Sequence, residues 1–111
     1  METPLQITFH GFEHTPELDE LIRHRAEQLD KLAGHRLTSC HVVLELGHEH
    51  RAGARLFHAR IDLSLAGGVI AVNHEAHDKH SHEDAAAAVR DAFTTAHRQV
   101  EDWQRRHRVA S

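Results

Sequence analysis

The stretch Glu83 to Arg108 constrains this 111-residue chain more than any other, because it is the one long amphipathic segment that carries its own start signals. Ser81 is placed to act as an N-cap with Asp84 as its capping-box partner, and Glu83 and Asp84 set negative charge at the electropositive helix start. Ala85, Val89, Ala92, Phe93, Ala96, Val100 and Trp103 then recur at three- and four-residue spacing, while Thr94, Arg98, Asp102 and Arg105 fall on the opposite side. A helix with such a stripe needs an apolar surface to cover. The preceding residues supply a small β-sheet.

The first strand is read from Leu5, Ile7 and Phe9 alternating with Gln6, Thr8 and His10. Thr15-Pro16 then gives an N-cap followed by proline at the first helical position, with Glu17, Asp19 and Glu20 loading the first turn. The spacing predicts a helix from Pro16 to Ala33, with Leu18, Leu21, Ile22, Leu29 and Leu32 as its stripe and Gly34 as its stop. Arg25 falls inside that stripe. Thr38 to Leu46 and Ala54 to Leu65 alternate again, and Gly67-Gly68 makes a hairpin turn into Val69 to Asn73. The predicted order is β-α-β-β-β-α, an α+β fold in which a four-stranded mixed sheet carries both helices on one face. His41, Glu45, His58, Arg60 and Asp62 belong to the other, solvated face.

Length and 40% hydrophobic content allow one modest core, so a single domain over 1–111 is expected, ordered over 5–107 and with a histidine-rich loop at 74–82. The net charge of −4 excludes a surface that attracts nucleic acid everywhere, although 14 histidines make that charge sensitive to mild acid. One cysteine, Cys40, and a start without a basic-then-apolar leader point to a reducing cytoplasm. No apolar run approaches the roughly 20 residues that span a bilayer, so no membrane partner is expected.

Several strings, taken in order, resemble the ribosome hibernation-promoting factor family, also called ribosome-associated inhibitor or ribosomal subunit interface proteins. They are Leu5-Gln6-Ile7-Thr8, Thr15-Pro16-Glu17-Leu18, Thr38-Ser39-Cys40-His41-Val42-Val43-Leu44, Gly67-Gly68, His82-Glu83-Asp84, Ala88-Val89 and Arg98-Gln99-Val100. The resemblance implies a layout similar to double-stranded RNA-binding domains and a protein, monomeric when free, that occludes the messenger and transfer RNA sites of the small ribosomal subunit. It implies no catalysis, no cofactor and no small-molecule substrate. Basic residues on the two helices would meet ribosomal RNA, and at the matching positions this chain has Arg25, Lys31 and Arg98. Gln28, Thr95 and Asp102 stand where the family tends to carry lysine, and Ala86 where it tends to carry tyrosine.

The residues themselves support two further readings. From residue 90 onward Arg90, Arg98, Arg105, Arg106 and Arg108 outnumber Asp91, Glu101 and Asp102, which makes Arg90, Arg98, Arg105 and Arg106 candidate phosphate contacts beside Arg25 and Lys31. The plain alternative is a solvated helix, with Glu101–Arg105 and Asp102–Arg106 paired four residues apart. The run His74, His77, His80 and His82, with Glu75 and Asp78 near it, has the chemistry of a zinc, copper or nickel site but not the paired spacing of a structural one. It leaves open a second class of function, a metal-responsive or protein-interaction module on the same fold. No nucleophile elbow or phosphate-binding glycine loop is present.

Overall fold

Period-two and helical patterns settle into six elements in the computed structural model, which describes residues 3–34, 36–47, 57–74 and 85–107. They are β1 (Leu5–His10), α1 (Pro16–Leu32), β2 (Leu37–Leu46), β3 (Phe57–Leu65), β4 (Gly68–His74) and α2 (Ala85–His107). The expected cap of α2 at Ser81 to Asp84 lies outside the described residues, as do 54–56 of the predicted third strand. The order β-α-β-β-β-α agrees with the reading from sequence.

The sheet runs β1-β2-β3-β4, with β1 parallel to β2 and the other two pairings antiparallel. Its register aligns apolar residues in rows: Leu5 opposite Cys40 and Leu63, Ile7 opposite Val42 and Ile61, Phe9 opposite Leu44 and Ala59. Because successive side chains alternate faces, every one of those rows points toward the helices. The intervening rows put Thr8, His41, Glu45, Arg60, Asp62 and Asn73 on the far side, where none of them is buried. There Thr8 Oγ1 lies 3.0 Å from His41 Nε2, and Arg60 pairs with Asp62 at 3.0 Å.

Helix α1 begins as its composition dictates. Thr15 is extended, its Oγ1 accepts from the Leu18 N–H at 3.3 Å, and Pro16 opens the first turn. It ends when Gly34 takes φ 59°, the left-handed geometry that a side chain disfavours. Ile22, Ala26 and Leu29 of α1 are buried with Val89, Phe93, Ala96 and Val100 of α2, and α2 lies chiefly on β3 and β4. Each large apolar side chain so buried contributes about 1.5–3 kcal/mol. Asp30 is the one buried charged residue among those described, and it accepts from the Thr3 hydroxyl at 2.7 Å, tying the chain start to the end of α1.

Trp103 closes the far end of the core. It stacks on His107 with centroids 4.3 Å apart, and the Arg36 guanidinium sits 5.7 Å from its ring. Beneath it runs the turn between β3 and β4, where Gly67 has φ 99° and a Cβ on Gly68 would come within 3.1 Å of the indole Nε1. Gly68→Ala therefore asks the indole, packed against His107, to give by a few tenths of an ångström, and we expect a loss of about 1 kcal/mol by urea denaturation followed by circular dichroism.

Cys40 is buried on the helix side of β2. Burial first, and the negative charge of Asp62 second, push its thiol from 9.0 up to about 12. The unfolded chain gives up this proton near 9.0, so the contribution of Cys40 to stability is complete below that pH and declines as pH rises toward about 12. Two outcomes follow: thiol reagents at about pH 8 react with the native protein only through unfolding, and the stability difference between wild type and Cys40→Ala drifts against the wild type above pH 9.

Candidate nucleic-acid interface

Helices α1 and α2 lie side by side with their C-terminal ends together, where the Gln104 amide donates to the Leu32 carbonyl. That bond satisfies a carbonyl that the end of α1 leaves unpaired. About one to three turns before that contact the two helices flank a groove of about 420 Å³ lined by Arg25, Gln28, Leu29, Phe93, Thr94 and His97. Leu29 and Phe93, each 2% exposed, form an apolar floor. The polar rim comes from both helices.

Arg25 explains its own irregular place in the α1 pattern. It lies on the flank of the buried stripe that faces α2, half-buried, so its aliphatic stem can follow the apolar surface while the guanidinium reaches the groove. It makes no ion pair with a described residue. Thr94 donates its hydroxyl to the Arg90 carbonyl at 2.9 Å, so toward the groove it offers only lone pairs. Gln28 offers amide donors.

Lys31, Arg90 and Arg98 are exposed and also make no ion pair with a described residue. Arg90 and Arg98 share the outward face of α2 with Thr94, whereas Lys31 lies on the side of α1 turned away from the groove. Thus only Arg25 of the six candidates lines the groove itself. Arg105 and Arg106 are placed differently from the expected four-residue pairs. Arg105 pairs with Asp102, three residues back, and Arg106 donates to the Asp102 carbonyl at 3.4 Å. Glu101 instead faces His97 at 3.5 Å. With Asp102 drawn to Arg105, the turn's acidic groups are taken, and these two arginines are the more committed of the set.

Among the described residues no three His, Cys, Asp or Glu side chains are grouped to hold a metal. His77, His80 and His82 and the side chain of His74 lie outside the described residues. A second depression, about 330 Å³, lies on the wet sheet face between Val43, Glu45, His58, Arg60 and Asn73. Its cation, Arg60, is already engaged by Asp62. His97 and Gln104 were not singled out by sequence reasoning, because what makes them matter is the way α2 lies against α1, which no local pattern encodes.

No helix among the described residues is long and apolar enough to cross a membrane. The fold is similar to that of a ribosomal subunit interface protein from Coxiella burnetii, at TM-score 0.71 and 15% identity over 92% of this chain and 98% of that one. It is similar too to the N-terminal domain of Thermus thermophilus Protein Y, at TM-score 0.67 and 24% identity over 91% and 99%. No curated protein matches the chain in sequence. The Sigma 54 modulation protein / S30EA ribosomal protein family, however, matches residues 5–108, nearly the whole chain and every element described above, and the chain belongs to that family.

Proposed function

We propose that this chain is a cytoplasmic, non-catalytic translation inhibitor of the hibernation type, which seats its two helices against RNA of the small ribosomal subunit and occludes the messenger and transfer RNA sites. The observation that carries this reading is the set of uncommitted cations on one helical layer. Arg25, Arg90, Arg98 and Lys31 make no ion pair with a described residue, in a chain whose net charge is −4. Membership of the S30EA family supplies the partner class. Arginines and lysines that meet phosphates give affinity and register without reading bases, which suits recognition of a shaped RNA cleft. The protein acts by filling space.

Co-sedimentation with purified small subunits across a salt series tests this. Binding should weaken as salt rises, with each phosphate contact contributing about −0.7 to −0.9 to the slope of log K against log salt. Arg25→Ala combined with Arg98→Ala should weaken binding and reduce the slope by about 1.4–1.8. Because neither side chain has an ion-pair partner to orphan among the described residues, the double variant should keep most of its thermal stability. Wild-type protein left in the supernatant even at low salt sinks the reading.

A further inference from the structure

The groove between α1 and α2 has one imidazole in its lining, that of His97, and imidazole is the side chain suited to gain a charge in mild acid. Its lining comes from the two helices alone. Facing His97 from α1 are Arg25, permanently cationic, and Gln28, uncharged. From its own helix come Thr94, whose proton is committed to the Arg90 carbonyl, and Glu101, whose carboxylate lies 3.5 Å from the imidazole. His97 and Glu101 are about half exposed, at 51% and 53%, so a ligand can reach both.

This set of donors suits a tetrahedral oxyanion. Arg25 presents a fork of donors, Gln28 an amide, and His97 an N–H that gains a full charge on protonation. Glu101 decides when the site is favourable. With His97 neutral, Glu101 offsets part of the positive charge that Arg25 and the neighbouring Arg90 and Arg98 bring to the groove and its rim. With His97 protonated, the carboxylate is balanced by the imidazolium and the arginine charge is no longer offset.

We propose that the groove is a phosphate subsite for RNA in which Arg25 is the constant anchor and His97 a proton-dependent one, so that mild acid tightens the chain on its partner. The proposal rests on the ribosome-binding reading for the source of the phosphate, but the site itself can be tested without a ribosome. By linkage, an anion that prefers the protonated imidazole must raise the affinity of that imidazole for its proton by the same factor. A contact of this exposure gives about a two- to fivefold gain.

The direct experiment is an NMR titration of the histidine ring signals of the full chain, in sulfate and in chloride at equal ionic strength, since sulfate stays doubly charged throughout. The midpoint of His97 should rise in sulfate by about 0.3–0.7, the logarithm of that gain, while His24 on the outer side of α1 and His58 on the sheet face stay put. Arg25→Ala should abolish the rise. A His97 midpoint that does not move, or that moves no more than those of His24 and His58, overturns the proposal.

Sedimentation with small subunits at about pH 7.5 and 6 is the second arm. Wild type should bind about two- to fivefold tighter at the lower pH, and His97→Gln should lose that gain. Subunits bound with a pH gain that survives His97→Gln would remove the subsite and leave the ribosomal reading standing. Sulfate that moves His97 in a protein that ignores subunits would do the opposite.

Discussion

Everything in this molecule depends on the sheet having one apolar face and one polar face. The rows built on Cys40, Val42 and Leu44, with their partners on β1 and β3, leave α1 and α2 a single surface to cover. A slip of one residue in any strand would send His41 or Asp62 inward and Val42 or Ile61 to water, so the register is held by burial and not by the hydrogen bonds, which any register could make. Two helices on one side of a four-stranded sheet must lie next to each other. The groove between them is therefore a product of the sheet pattern, and its lining is fixed by which flank each helix turns to the other.

The same one-sided sheet explains which parts were legible in the sequence. Alternation over β1, β2 and β3 and the three- and four-residue spacing of both helices are local signals, and each maps directly to burial, so the element order and both sheet faces could be read. The Thr15-Pro16 start and Gly34 stop of α1 were equally local. Asp30 was not anticipated, since a carboxylate beside the stripe is acceptable only because Thr3, remote in sequence, donates to it. The pairings of Glu101 and Asp102 were misread for a related reason. A four-residue rule ranks partners by spacing, whereas His97 and Arg105 compete for those carboxylates through side-chain geometry. Arg25 occupies the middle ground: its irregularity was visible in the pattern, but its meaning needed α2.

The charge of the chain is similarly a matter of arrangement. An acidic total does not preclude a basic surface when negative charge is used locally. Asp19 holds Arg23, Asp62 holds Arg60 and Asp102 holds Arg105, so three arginines contribute little field at a distance. Apart from Arg36, which lies over the Trp103 ring, the cations that have no such partner among the described residues are on α1 and α2. Net charge describes the molecule seen from afar, and the helical layer is what a partner meets at contact.

Trp103 has a further significance beyond packing. It is the only tryptophan in a chain that has no tyrosine, and it sits on the β3–β4 turn at the end of α2 remote from Arg25 and His97. Near-ultraviolet emission from this protein thus comes from one place, held by a histidine on one side and an arginine near its ring. The molecule carries a built-in optical label for the seating of α2 on the sheet, at a point where a ligand in the groove does not touch it. A change in that signal on assembly would report an event at this end of α2, outside the groove.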